Sequence, residues 1–196
     1  MHRLTLAVLA SACAVAAQAE PASYLIDPSH TFVTFEVQHF GTSTARGRFD
    51  KKEGTVQLDR AAKTGKVDLN IDTASITTGV GPFDAHLRKP DFLGVEQHPS
   101  AHFMGDKFRF DGDKLVEVSG ALTLLGKTHP VTLKASNFNC YDHPMLKREV
   151  CGGDFETTIL RSQYGMNYGL PRVPIIALTA NAYESDRERC LSVGMD

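Results

Sequence analysis

Alternation of apolar and polar residues with a period of two runs through most of this chain and constrains its fold more than any other feature. It is visible in TFVTFEV (31–37), KVDLNID (66–72) and VTLKAS (131–136). Because successive side chains of a β-strand point to opposite faces, this alternation predicts antiparallel strands with one buried and one solvated face. The chain is therefore predicted to be all-β.

Turn signals such as Asp111-Gly112-Asp113 and Gly126-Lys127 separate the alternating segments. Since a sheet of many strands must protect its edges, we expect these strands to close into an eight-stranded antiparallel barrel within one domain, residues 20–183. About eight or nine strands are predicted, near residues 23–26, 31–39, 44–58, 65–77, 101–110, 114–124, 129–138, 154–161 and 174–182.

The interior of such a barrel is either filled by side chains or holds one small ligand, and the alternation does not decide between the two. A long-chain ligand inside would gain about 0.8 kcal/mol for each buried methylene. The positions predicted to face inward and to contact that ligand are all apolar: Val33, Phe35, Val37, Val67, Leu69, Ile71, Val118, Leu122 and Leu124.

The segment GPFDAHLRKPDFLGVEQHP (81–99) contains three prolines and does not alternate. It predicts a short helix and a loop at the mouth of the barrel. Arg88 and Lys89 would suit an anionic lipid head group, with His86 as a hydrogen-bond donor. Two alternatives stay open, namely an ordinary solvated helix and a loop that is merely pinned to the barrel. The predicted head-group and mouth residues are Asp84, His86, Arg88, Asp91 and Phe92.

Residues 1–19 have the pattern of a cleaved secretory signal peptide. Arg3 precedes an apolar run that is too short to span a bilayer, and Ala17-Gln18-Ala19 precedes the expected cleavage before Glu20. The pattern predicts a periplasmic protein that is not an integral membrane protein. The formal net charge of −2, which becomes −3 without Arg3, argues against nucleic acid as a partner.

Cys140 and Cys151 predict a structural disulfide in an exported chain, with Cys190 left over. We predict no catalytic residues and no metal site. Pro99 breaks the helix that would bring His98 and His102 together, and Ser29 next to His30 on a strand could not form a nucleophile–base pair. Two hypotheses of other classes remain: a metal- or redox-handling protein that uses the histidines and the cysteine pair, and a hydrolase-type enzyme with Asp84 and His86 as acid and base.

Five motifs in register resemble the YceI family. They are DPSHTFVTFEVQHFG (27–41), FDAHLRKPDFL (83–93), HPSAHF (98–103), GALTLLGKTHPVTL (120–133) and RSQYGM (161–166). The resemblance implies an exported, lipocalin-like barrel that holds an isoprenoid or other long-chain, fatty-acid-like lipid for transport, storage or sequestration. It implies neither catalysis nor another cofactor, and a homodimer is a possible assembly.

The C-terminus departs from this family pattern. PIIALTANA (174–182) and DRERCLSVGMD (186–196) resemble a fragment of a response-regulator receiver domain, but the acidic pocket of receivers has no counterpart here. We therefore predict no signalling function. Because residues 175–182 alternate, we expect them to serve as the strand that closes the barrel, with residues 184–196 as an atypical tail.

Overall fold

The computed structural model describes residues 21–170, 173 and 175–182 of the chain. Within these residues it contains eleven strands, one α-helix and one 3₁₀ turn at Thr73–Ser75. The bounds are β1 Ala22–Leu25, β2 Thr31–His39, β3 Ser43–Phe49, β4 Lys52–Asp59, β5 Thr64–Asp72, β6 Ile76–Thr77, α1 Gly81–Leu87, β7 Ser100–Asp111, β8 Lys114–Leu124, β9 Lys127–His143, β10 Arg148–Leu160 and β11 Ile175–Ala182.

The strands form one antiparallel sheet in the order β1-β4-β5-β7-β8-β9-β10-β11-β2-β3-β6. Its two halves are joined by the chain itself, because only residues 50–51 separate β3 from β4 and only the 3₁₀ turn separates β5 from β6. Residues 43–59 and 64–77 thus form one long hairpin in which both strands bend. The pairs on either side of the bend are Lys52↔Ile71 and Phe49↔Ile76.

When each bent strand is counted once, every strand of the wall has a hydrogen-bonded neighbour on both sides, so the sheet closes into a lipocalin-like barrel. β1 adds to the exposed edge of β4. The predicted all-β barrel is therefore confirmed, and its wall, as far as the structure describes it, has eight strands in this count. The number of separate strands in the described residues, eleven, differs from the eight or nine predicted. The segment predicted as one strand, 44–58, divides at a bend that shifts the alternation, since Phe49 and Lys52 are both buried although they are three positions apart.

β9 and β10 are much longer than the strands predicted at 129–138 and 154–161. The additional residues are largely polar, so their alternation carries no apolar signal. Cys140 lies directly opposite Cys151 in this hairpin, and the two form the predicted disulfide. We call residues 139–152 the arm, because they extend beyond Lys134 and Asp154, where the described pairing with β8 and β11 ends.

β11 lies between β10 and β2 and pairs with both, so the prediction that residues 175–182 close the barrel is confirmed. The predicted signal peptide, 1–19, and the tail, 184–196, lie outside the described residues. In the part of the chain that the structure describes, no helix combines the length and the apolar character needed to cross a membrane.

Candidate ligand site in the barrel and at its mouth

The nine residues predicted to face inward lie together inside the barrel. Val37 and Val67 are half-buried and pack against a single hydrophobic cluster, and the other seven belong to that cluster as buried members. Their shared apolar surface could hold a hydrocarbon chain by burial alone, and it could equally serve as a filled core. Burial therefore confirms the inward orientation, and the ligand contact stays a prediction.

Two glycines make room for the inward-facing side chains. A Cβ atom on Gly47 would lie 2.4 Å from Cζ of Phe35, its partner on the neighbouring strand. A Cβ atom on Gly105 would lie 2.7 Å from Val118 and 2.8 Å from Val67. The missing Cβ atoms at these two positions leave space that neighbouring side chains occupy, and larger residues there would displace those side chains.

α1 is held at the barrel mouth by the carboxylate of Asp84. This buried group accepts hydrogen bonds from the Thr78 backbone N–H at 2.7 Å, the Thr78 hydroxyl at 2.6 Å and the Thr77 hydroxyl at 3.3 Å. These hydrogen bonds, those from Thr78 above all, hold the pKa of Asp84 below its ordinary value despite the opposing effect of burial. Asp84 thus stays ionised in order to tie the helix to the end of β6.

Arg88 makes the matching contacts at the other end of α1. Its guanidinium donates from Nε to the Ala74 carbonyl at 2.9 Å and from a terminal nitrogen to the Ile76 carbonyl at 2.7 Å. Of the alternatives open for this segment, the contacts of Asp84 and Arg88 are those of a loop pinned to the barrel. The neighbouring Lys89 is exposed and lines a surface cleft of about 300 Å³ together with Arg88, Glu96 and Gln97. Asp91 is exposed as well.

The loop after β10 meets α1 through three rings. The His86 ring centroid lies 4.8 Å from that of Phe92 and 5.6 Å from that of Tyr168, and Phe92 and Tyr168 are 5.1 Å apart. We call His86, Phe92 and Tyr168 the ring cluster. Sequence reasoning missed Tyr168, although it lies only two residues after the RSQYGM motif and is the most exposed ring of the three.

Arg161 holds the loop that carries Tyr168. It is 4% exposed, and its guanidinium donates to the carbonyls of Val173, at 2.6 Å, and Tyr168. Burial lowers the pKa of Arg161 below its usual value, and the group remains a cation because that value is so high. The mouth is thus built by two buried or half-buried arginines that bind backbone carbonyls, which is a structural role for both.

One buried polar atom near the mouth has no hydrogen-bond partner among the described residues. Tyr164 is 1% exposed, and its ring packs edge-on against His129 with 5.0 Å between centroids. Its hydroxyl lacks a partner, and burial raises the pKa of Tyr164, so the group is a neutral potential donor within the hydrophobic cluster. An unpaired buried hydroxyl is costly to keep, which makes this position a candidate contact for a ligand.

The residues named for catalysis are not arranged as an acid–base pair. Asp84 faces Thr77 and Thr78, whereas the His86 ring packs against Phe92 and Tyr168. The expectation for Ser29 and His30 was wrong in its geometry, because both lie in a turn where Ser29 Oγ is 3.1 Å from His30 Nδ1. That same nitrogen is 2.8 Å from Asp27, whereas a catalytic triad requires one ring nitrogen of the histidine to face the serine and the other to face the aspartate.

Candidate metal ligands also come together at one place in the described residues. The thiols of Cys140 and Cys151 and the carboxylate of Glu149 lie within 4.8 Å of one another. Both sulfur atoms are used in the disulfide. His102 pairs instead with Asp68 at 2.7 Å on the neighbouring strand, away from this cluster.

Comparison with known proteins identifies the family of the chain. A family model described as YceI-like domain matches residues 24–182, which include every strand of the wall. The chain belongs to the YceI-like family. A relative named UPF0312 protein from Pseudomonas aeruginosa is 39% identical over 149 residues, covering 74% of this chain and 78% of the relative.

Solved structures of the YceI-like fold agree with the barrel. BcnA of Burkholderia cenocepacia superposes with a TM-score of 0.64 at 18% identity and covers 79% of this chain and 96% of its own. A polyisoprenoid binding domain from Saccharophagus degradans superposes with a TM-score of 0.53 at 16% identity, over 84% of this chain and all of its own. At these identities the likeness concerns the fold.

Proposed function

We propose that this YceI-like protein is an exported carrier that holds an isoprenoid or other long-chain amphiphilic lipid inside its barrel, for transport, storage or sequestration. The observation that carries the proposal is the inner face, where nine apolar side chains from three strands, β2, β5 and β8, form one connected surface. Each methylene of a lipid lying there would contribute about 0.8 kcal/mol. Family membership and the fold shared with a polyisoprenoid binding domain support the same function.

The polar end of the lipid is proposed to lie at the mouth. The ring cluster offers His86 as a donor beside two aromatic faces, and Lys89 is exposed next to it on the same segment. The buried Tyr164 hydroxyl would gain a partner from a ligand with an acceptor oxygen. Since Asp84 and Arg88 are occupied in anchoring α1, we assign the head-group contacts to His86 and Lys89 in preference to them.

The first experiment asks whether lipid co-purifies. Protein recovered from the periplasmic fraction is analysed by native mass spectrometry and then extracted with organic solvent. We expect a long-chain lipid bound to the folded chain and a protein mass that corresponds to cleavage before Glu20. A folded protein that releases no lipid and binds no added long-chain probe would contradict the proposal, and stoichiometric metal in its place would favour the metal-handling alternative.

The chain has no tryptophan, which allows a matched pair of probes on one strand. Val67 is half-buried and faces inward on β5, whereas its neighbour Lys66 is exposed. Val67→Trp is expected to reduce the bound lipid and to show a fluorescence change when lipid is added back. Lys66→Trp is expected to retain lipid like the original protein, and equal retention by both variants would argue against an internal site.

Tyr164→Phe separates a ligand contact from a packing role. Because the hydroxyl has no partner among the described residues, its removal should leave the stability of the lipid-free protein unchanged or slightly higher. If the hydroxyl donates to the ligand, the same change weakens retention of lipids with a terminal oxygen and spares pure hydrocarbons. Destabilisation of the lipid-free protein would instead assign the hydroxyl a structural partner.

A further inference from the structure

The arm ends in a turn that presents two apolar side chains to solvent. Met145 is 80% exposed and Leu146 is 50% exposed, and both lie at the tip of the hairpin between β9 and β10. The two residues that follow, Lys147 and Arg148, are exposed as well. We call residues 143–148 the tip.

Three backbone N–H groups of the tip are paired within it. The buried His143 ring accepts hydrogen bonds at Nδ1 from the N–H groups of Met145, at 3.1 Å, and Leu146, at 3.0 Å. The Lys147 N–H donates to the His143 carbonyl at 2.9 Å. Three consecutive N–H donors are thus paired within the turn, which lowers the desolvation cost of placing this backbone segment in an apolar medium.

The arm behind the tip is braced at two points. The disulfide joins its strands at Cys140 and Cys151. Next to the disulfide, Glu149 accepts a hydrogen bond from the Tyr24 hydroxyl of β1 and pairs with Arg60 at 3.0 Å. Because the arm is fixed before any partner arrives, Met145 and Leu146 are held outward without an ordering cost on binding.

We propose that the tip docks on a phospholipid bilayer that contains anionic lipids, with Met145 and Leu146 entering the apolar layer and Lys147 and Arg148 contacting the head groups. Two exposed apolar side chains next to two cations fit the boundary between acyl chains and head groups. They are too few to form the roughly 800 Å² that each partner contributes to a stable protein interface. The paired N–H groups also leave no free donors in this turn for strand addition by a protein partner.

The absence of tryptophan from the chain makes the insertion directly observable. Met145→Trp places a single reporter at the tip, and Met104→Trp places one at a methionine that is 42% exposed on β7. Phosphatidylcholine vesicles with phosphatidylglycerol should shift the Met145→Trp emission to shorter wavelengths and leave Met104→Trp unchanged. Brominated acyl chains should quench only the tip reporter.

Partitioning then measures the energetic contributions of the tip. The double change Met145→Ser and Leu146→Ser should weaken vesicle binding roughly tenfold or more, whereas Met104→Ser should not. The double change Lys147→Gln and Arg148→Gln should weaken binding to anionic vesicles and abolish its dependence on salt, while binding to pure phosphatidylcholine should not change.

The proposal is overturned if folded Met145→Trp shows no shift with anionic vesicles, if Met104→Trp shifts equally, or if the tip proves to bind a protein and no vesicle. Lipid retention inside the barrel is measured separately by extraction, and all tip variants should retain lipid like the original chain. Vesicle binding without internal lipid would contradict only the proposed carrier function. Internal lipid without vesicle binding would contradict only the proposed docking of the tip.

Discussion

The mouth and the arm are both held rigidly, but by different kinds of contact. At the mouth, the buried groups of Asp84 and Arg161, with Arg88, bind backbone N–H and carbonyl groups of neighbouring segments. The arm is held by a disulfide and by the exposed pair Glu149–Arg60. Loss of one partner from a buried hydrogen bond lowers the free energy of unfolding strongly, whereas an exposed ion pair contributes little to it. The mouth should therefore unfold with the barrel, and the arm should loosen independently.

Removal of the Arg161 guanidinium at the mouth should cause the largest loss of stability. Arg161→Ala leaves the carbonyls of Tyr168 and Val173 without their charged donor, and we expect a loss of about 3 kcal/mol in the free energy of unfolding. Denaturant unfolding measures this loss. The matched control Arg46→Ala removes an arginine that is exposed beside Glu36 and should cost less than about 1 kcal/mol. Equal losses would show that the mouth is not a buried anchor.

Removal of the disulfide should cause the next largest loss of stability, and the loss should be confined to the arm. Cys140→Ser with Cys151→Ser removes a cross-link between residues that are 11 apart in sequence. The expected loss is about 2–3 kcal/mol, and it arises chiefly from the freedom gained by the unfolded chain. Hydrogen exchange should increase in the arm and stay low in β7 and β8. Faster exchange throughout the barrel would mean that the arm is not an independent unit.

The inner face, the mouth and the arm differ in how far the sequence predicts them. The inner face was predictable because side chains in a strand alternate between the two faces of the sheet. The orientation of Val33, Leu69 and Val118 therefore follows from the residues next to them in sequence. The mouth anchors were not, because Arg88 and Arg161 bind backbone carbonyls, which every residue type provides. The arm escaped prediction because its strands are polar on both faces and its bracing partner, Tyr24, is distant in sequence.

Acid should weaken the mouth through Asp84. The pKa of Asp84 lies below its ordinary value because Thr78 donates to the carboxylate, so its stabilising effect is complete above the ordinary pKa, about 4. That effect is lost as the pH falls through the lowered pKa of the folded state. Asp84→Asn should flatten the acid limb of the stability–pH curve in denaturant titrations. An unchanged slope in the variant would remove Asp84 from the anchor.

Alkali should act on the arm, with the smallest effect of the series. Burial, and then the hydrogen bond to Glu149, raise the pKa of Tyr24 to about 12. Because the folded state favours the neutral phenol, the contribution of Tyr24 is complete below its ordinary pKa, about 10, and disappears as the pH rises toward the raised value. Since the pair is partly exposed, Tyr24→Phe should cost less than about 1 kcal/mol at neutral pH. Ultraviolet titration of the phenols should show late transitions for Tyr24 and for the buried Tyr164, and the Tyr24 transition should be missing in Tyr24→Phe and shift to lower pH in Glu149→Gln. A Tyr24 transition that does not respond to Glu149→Gln would mean that β1 does not brace the arm, and the tip would then depend on the disulfide alone.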